Sequence, residues 1–410
     1  MRVGQTRPLH PIRSAAEALR KRLVSWRRHL HMHPEPSGGE VGTARFVAQE
    51  LRRLGIGGIR TGVGGHGVVG LVGRRKGRLA VALRADMDAL ELTEATGAPY
   101  ASRVRGMMHA CGHDGHVACL LGAAAILHER REALPGAVKL LFQPAEEAGG
   151  GAREMIRDGC LVHPRVRAVA GLHLFPDLAS GAVGIRRGIY TAQSDSVRIV
   201  VRGRGTHAAR PHKGVDPIAA AAHLITAIHT FLDRRLDPLE PRVLTIGLLR
   251  GGTRVNIVAE EVTLEGTLRT LSPAARRAVV RFLKTDLRRI ARAFGATVQT
   301  TIHDGYPPLK NDERIVDCIE RAAVAMFGRG GTRSVPAPSL GGEDFAFYGV
   351  LGGIPTAMCR LGVRDVKKGF VAPLHSTRFD FDDGKVLPVG AALMAQTALE
   401  MLAAAGDGDG

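Results

Sequence analysis

Residues 79–88, LAVALRADMD, and residues 138–147, VKLLFQPAEE, decide the fold between them. Each opens as a nearly unbroken apolar run of strand length, as expected of a strand covered on both faces, and each ends on carboxylates. Between them, residues 117–131 are rich in Ala and Leu and long enough for a helix, while residues 168–172 supply another apolar strand. This alternation predicts an α/β sandwich around a central sheet. Upstream, Ala15, Leu19, Leu23, Trp26 and Leu30 recur at spacings of three and four, which predicts one amphipathic helix. Residues 386–405 predict a last one.

The middle of the chain has another rhythm. Strands are expected at 197–202, 243–249, 262–269 and 297–303, with helices at 218–234 and 273–294. Ser272 before Pro273 is a helix-start signal. The order β-α-β-β-α-β is that of a ferredoxin-like unit. The expected organisation is therefore a discontinuous domain of residues 1–191 and 304–410, interrupted by a second domain of residues 192–303. The Gly-rich residues 62–73 lack both the Gly-Lys-Ser/Thr ending of a phosphate loop and a dinucleotide fingerprint, and are read as a turn between strands.

With 410 residues, 45% hydrophobic and 23% charged, the chain has ordinary globular composition and room for more than one domain. No uninterrupted apolar run approaches the ~18 residues of a membrane span, and residues 117–127 are the longest candidate. The net charge of +18 can mark a nucleic-acid binder, but basic residues are spread along the chain and aromatics are only 4%, so stacking rings are missing. Nucleic acid and membrane are thus not expected partners. The five cysteines are odd in number and unevenly spaced, which argues for a reducing compartment. The basic N-terminus lacks an apolar leader core, so the expected location is cytoplasmic. The small, acidic residues 406–410 are expected to fray.

The densest chemistry is His109-Ala110-Cys111-Gly112-His113-Asp114-Gly115-His116. Thiolate and imidazole together suit divalent zinc, nickel, cobalt or manganese. One Gly separates Cys111 from His113, so extended backbone would turn both to one face. Asp86 and Asp88 share a face at a strand end, where one carboxylate can orient a ligating His. Glu146 and Glu147 follow a strand directly, and one could bind metal while the other accepts a proton from a water. His173 closes the 168–172 strand, and His375 lies near the C-terminus. Cys111, His113, Glu147, His173 and His375 exceed the needs of one tetrahedral zinc and suit two ions sharing a bridging ligand. In the middle unit, Gly205-Thr206-His207 presents His207 just past a strand, read equally as a solvated loop or as a functional group.

The order and spacing of these motifs resemble the dinuclear metal-dependent amidohydrolases and peptidases that include hippurate hydrolase, N-acyl-amino-acid amidohydrolases and indole-acetyl-amino-acid hydrolases. The resemblance extends to Arg27–Glu40 (RRHLHMHPEPSGGE), Gly341-Gly342-Glu343-Asp344-Phe345 and Gly266-Thr267-Leu268-Arg269-Thr270, and covers nearly the whole chain. It implies a zinc-peptidase-like α/β/α catalytic domain with an inserted ferredoxin-like lid and dimerisation domain, and a homodimer. It further implies two divalent metal ions (Mn, Zn, Ni or Co) per subunit, with Cys111 bridging and His113, Glu147, His173 and His375 as the other ligands. Glu146 would be the general base and Asp88 the orienting carboxylate. Asp86 stands where relatives outside this branch place a ligating His. His207 would reach the partner subunit's site to steady the oxyanion, and Asn256 and Arg269 match substrate-contacting positions. The implied reaction is hydrolysis of the amide of an N-acyl amino acid; the alternative on the same scaffold is a dipeptidase or N-carbamoyl-amino-acid hydrolase. The sequence departs from the family's usual Asn-Val-Ile-Pro-Asp at Ala259 and Glu260, which bears on lid geometry and substrate preference rather than on ligands.

Overall fold

The apolar runs form adjacent parallel strands, Ala80–Asp86 and Ala137–Gln143, in a computed structural model that describes residues 10–73 and 79–406. Residues 1–9 of the basic N-terminus and residues 407–410, which are expected to fray, lie outside the described residues; Gly406 ends the last helix. The described chain divides into two units. One comprises Thr191–Leu309 with Pro338–Glu343, and the other holds the remaining described residues.

The larger unit is built on an eight-stranded sheet. Its centre is parallel: Ala137–Gln143, Ala80–Asp86, Val166–Ala179 and Thr356–Arg364 lie side by side. The chain thus has the expected α/β class. Side-chain alternation splits these strands between two faces. Val81, Leu83, Ala85, Val138, Leu140 and Phe142 join a core with the helices Arg20–Met32, His113–Glu129, Glu313–Phe327 and Asp383–Gly406. Arg84 and Gln143 turn to the other face, where they meet Asp344 and Tyr348.

Three local expectations are corrected. The single N-terminal helix is two, Pro11–Ala18 and Arg20–Met32, meeting at Leu19. The Gly-rich residues 62–73 are mostly strand: Gly57–Val63 and Gly67–Gly73 form an antiparallel hairpin whose second arm is nearly all buried. His173 does not end its strand. Val166–Ala179 pairs with Ala80–Asp86 only as far as Gly171, but Thr356–Arg364 continues beside it, pairing Arg360 with His173, so the strand runs on.

Helix His113–Glu129 is buried at every residue from His113 to Leu127, which its all-round apolar sequence requires. Helix Asp383–Gly406 is long and apolar enough to cross a membrane by length and composition, although Gln396, Thr397 and Glu400 interrupt its apolar run. Here its apolar window is 72% buried in the protein core.

The smaller unit has a four-stranded antiparallel sheet in the order Arg242–Gly251, Glu261–Thr270, Gln193–Arg202, Thr297–Asp304. With helix Pro217–Arg235 and the helical run Pro273–Ala293 this is the ferredoxin-like order. The sequence signals act as read: the Ser272 hydroxyl caps the Ala275 N–H (3.1 Å), and Asp216 caps the Ile218 N–H (2.8 Å) ahead of Pro217. The second helix is interrupted by a π-helical stretch, Phe282–Asp286. The apolar faces of strands and helices share a core that includes Ile199, Leu224, Leu264 and Leu283.

Candidate metal centre

The chemistry of the larger unit gathers where its parallel strands end. Asp86 is the last residue of its strand, Glu146 and Glu147 follow Ala137–Gln143, and His173 lies two residues past the Arg84–Gly171 pairing. Such carboxyl ends are the usual binding edge of an α/β sheet. Cys111 and His113 arrive from the other direction. They are not extended: Gly112 takes a left-handed turn at φ 84 and His113 opens the helix. An added Cβ at Gly112 would lie 3.1 Å from Leu174, so the turn is also closely packed.

Overlapping groups of donor atoms, each within 4.8 Å of one another, then join the residues: Cys111, His113 and His173; Cys111, Glu147 and His375; His113, Glu146 and Glu147. All five expected ligands and the expected base are thereby brought together. Cys111 Sγ lies 3.6 Å from His173 Nε2, and Glu147 Oε1 lies 3.3 Å from His375 Nε2 and 3.9 Å from His113 Nε2.

The ring nitrogens show which lone pairs are offered. His113 Nδ1–H donates to the Asp88 carbonyl (2.9 Å), with the Asp88 carboxylate beside it (3.2 Å), and His173 Nδ1–H donates to the Leu174 carbonyl (2.8 Å). Both rings therefore turn Nε2 toward the cluster, as ligating histidines do. His113 Nε2 and Glu147 Oε1 are buried and have no hydrogen-bond partner among the described residues. Glu147 Oε1 lies at ion-pair distance from His375 Nε2, and the two atoms lie 3.9 Å from each other; buried polar atoms so incompletely paired are costly unless a cation completes them, so the residues fit a metal group. His116, by contrast, is fully used. Its Nδ1–H donates to Asp86 (2.6 Å) and its Nε2 accepts from the Leu174 N–H (2.9 Å).

Electrostatics follow the same geometry. Burial pushes the Cys111 thiol well above its ordinary range, and Glu147 adds to the rise. Burial also holds His173 well below the usual imidazole value, helped by His116. For His113 burial acts downward, but Asp86 and its neighbours win and raise it well above the usual value. Asp88 is held low despite burial, by His113, the Ser37 hydroxyl (2.6 Å) and the Glu147 N–H (2.9 Å). Glu147 raises His375, whose backbone sits at φ 61. A non-glycine residue held there is a strained feature typical of functional sites.

Sequence reasoning missed the supports. Arg84 reaches Gln143 (2.8 Å), Asp86 (2.6 Å) and Asp344 (2.9 Å), and the Asp344 N–H lies 3.4 Å from Glu146 Oε1. The only signals for these were Arg84 inside the apolar run of residues 79–88 and Asp344 inside the Gly-Gly-Glu-Asp-Phe string.

The smaller unit holds the other expected residues. His207 and Asn256 are exposed neighbours: His207 pairs across strands with Ile257, and the Asn256 carbonyl accepts from the Ala208 N–H (3.0 Å). His207 Nδ1 accepts from the Ala209 N–H (3.1 Å), so in the neutral ring the proton resides on Nε2. Arg269 is half-buried beside Tyr306 and Asp195, on the Glu261–Thr270 strand.

Residues 82–400 match the peptidase family M20/M25/M40. The chain is 43% identical over 338 residues to the N-acetyl-L-cysteine deacetylase of Bacillus subtilis, covering 80% of this chain and 78% of that one. It is 36% identical over 384 residues to an IAA-amino acid hydrolase (ILR1-like 4) of Arabidopsis thaliana, covering 93% and 86%. Among solved structures, a Bacillus subtilis protein described as a dinuclear metal binding peptidase of the M20 family superposes with a TM-score of 0.81 at 34% identity, covering 94% of this chain and 99% of that one.

Proposed function

The chain belongs to peptidase family M20/M25/M40 and is a metal-dependent amidohydrolase or peptidase, and from that premise we propose that it hydrolyses the amide bond of N-acyl amino acids, releasing a carboxylic acid and a free amino acid. The observation that carries this reading is the convergence of Cys111, His113, Glu147, His173 and His375 in overlapping donor groups, with two buried polar atoms among them that make no hydrogen bond to the described residues. These five would hold two divalent ions, since the donor groups they form overlap through Cys111, His113 and Glu147. Bound there, the ions would supply Lewis-acid polarisation of the amide carbonyl and a lowered pKa for the attacking water.

The remaining work falls to this chain's own residues. Glu146, buried beside the donors, takes the proton of the attacking water and returns it to the leaving nitrogen. Asp88 fixes the His113 ring through Nδ1, so that Nε2 stays an acceptor. His207, with its proton on Nε2, is suited to donate to the developing oxyanion. Arg269 would hold the free carboxylate of the substrate, with Asn256 as a further contact. Residues 192–303 are assigned as lid and dimerisation domain, and the protein as a homodimer. What supports dimerisation there is the edge strand Arg242–Gly251, which within the sheet pairs only with Glu261–Thr270 among the described residues and leaves Val243, Leu248 and Leu249 exposed.

The test is metal analysis followed by a hydrolysis screen over N-acetyl, N-benzoyl and indole-acetyl amino acids, with dipeptides and N-carbamoyl amino acids in the same panel. Glu146→Gln keeps its metal and loses roughly 10²–10⁴-fold in kcat. Near-normal turnover in that variant would remove Glu146 from the mechanism, and preference for dipeptides or carbamoyl substrates would move the assignment to those reactions.

A further inference from the structure

Glu40 belongs to none of the donor groups, yet it is fully buried and its carboxylate reaches the loop that bears the paired glutamates. Its Oε1 accepts from two backbone amides, Gly38 (2.9 Å) and Ala145 (2.7 Å), the latter 105 residues away in sequence. Its Oε2 has no hydrogen-bond partner among the described residues. Ala145 immediately precedes Glu146 and sits at φ 52, a left-handed conformation that a residue with a Cβ keeps only when its surroundings impose it.

The conformation has a purpose in the geometry. Extended backbone sends consecutive side chains to opposite faces, yet Glu146 and Glu147 both bring an oxygen within 4.8 Å of a His113 nitrogen. The strand ends at Gln143, and the left-handed Ala145 redirects the chain immediately before the pair. The same short segment also reaches the far side of the pair. The Ser37 hydroxyl donates to Asp88 Oδ2 (2.6 Å), and that oxygen accepts the Glu147 N–H (2.9 Å). The backbone is therefore anchored before Glu146 by Glu40 directly, and after it by Ser37 through Asp88.

The geometry points to Glu40 as a positioning residue of the hydrolytic reaction: its carboxylate locks Ala145 in the left-handed turn that brings two consecutive glutamates to one site. This rests on the reading of Glu146 as the proton acceptor. The test uses the metal-loaded full chain and the variants Glu40→Ala, Glu40→Gln, Ala145→Gly and the double Glu40→Ala/Ala145→Gly, with Glu146→Gln as reference. Glu40→Ala lowers kcat about tenfold to a hundredfold, with KM and metal stoichiometry held, as expected of a small misplacement of a reacting group. Glu40→Gln keeps the acceptor oxygen and stays near wild type. In the double variant the glycine introduced in place of Ala145 adopts positive φ freely and recovers much of the lost kcat, which a merely structural role for Glu40 would not allow. Ala145→Pro removes the N–H and forbids positive φ with Glu40 untouched, and gives the same kcat loss, so the question stays open to measurement even where Glu40→Ala does not fold. Wild-type kcat in Glu40→Ala or in Ala145→Pro overturns the proposal, as does a loss that Ala145→Gly fails to restore. Near-normal activity of Glu146→Gln would instead overturn the base assignment, whatever Glu40 does.

Discussion

Arg27 is fully buried, with its guanidinium between Asp114 (2.7 Å) and Asp380 (2.8 Å). His31 stands beside it with Nδ1 2.8 Å from Asp114 and Nε2 3.3 Å from Glu94. Both ring nitrogens face carboxylates, so the imidazolium is the form that satisfies them. Burial and Arg27 oppose the charge, but Asp114 and Glu94 outweigh them and His31 is raised above its ordinary value. A raised imidazole contributes stability fully below its unfolded pKa of about 6.5, and that contribution is lost as pH rises through the folded value. The wild type should therefore exceed His31→Leu in urea-denaturation stability by more at about pH 6 than at about pH 9. A gap that widens toward alkaline pH would contradict this. Asp114 follows His113, so the network also pins the helix that carries a candidate ligand. The candidate ligands Cys111, His113 and Glu147, and the candidate base Glu146, were legible because they sit in short strings of unusual residue types. Glu40 and Arg84 were not legible as supports, since a lone buried Glu or Arg acquires its role only from backbone and side chains far away in sequence.

Helix His113–Glu129 was legible from its apolar length, but its start was placed four residues late. The His-rich string reads as a ligand loop, whereas the helix begins inside it at His113. Its position depends on small residues. An added Cβ at Gly122 would lie 2.6 Å from Leu23 and 2.7 Å from Ala391, on the helices to either side, and one at Gly390 would meet Cys119 Sγ at 2.4 Å. Overpacking a filled core typically costs about 1–3 kcal/mol. Gly122→Val should therefore lower the unfolding free energy from urea denaturation by an amount in that range, with a lower urea midpoint and weaker metal retention, because displacing this helix moves Cys111 and His113. An unchanged midpoint would show that the neighbours yield. The central strands were readable for a related reason: cover on both faces leaves an unbroken apolar run. The continuation of Val166–Ala179 beyond His173 was not, because its last residues alternate in burial and are held by pairing with Thr356–Arg364. Arg84 gives the same element scale a second test. Removing one partner of a buried ionic network costs about 3–5 kcal/mol, and Arg84→Met should show that loss, since it strands Asp86 and Asp344 together.

The two units divide the proposed chemistry. Every candidate ligand and the base lie in the larger one, while His207, Asn256 and Arg269 lie in the smaller. A division of this kind makes the proposed dimer testable without any structure of it. If His207 of one subunit serves the site of the other, each wild-type site draws on two chains. His207→Ala then lacks the oxyanion donor everywhere, and Glu146→Gln lacks the base everywhere, so both homodimers turn over poorly. A mixed dimer, however, pairs the intact Glu146 of one chain with the intact His207 of the other and rebuilds one complete site. Mixing the two inactive proteins under conditions that exchange subunits should restore activity toward about half the wild-type rate per mixed dimer, since a base or an oxyanion donor each acts as an all-or-none part of one site. Exchange itself is followed independently by mass-resolved chromatography of tagged chains. Recovery that tracks the mixed-dimer fraction supports service in trans, and confirmed exchange with no recovery places His207 at its own subunit's site or outside the reaction.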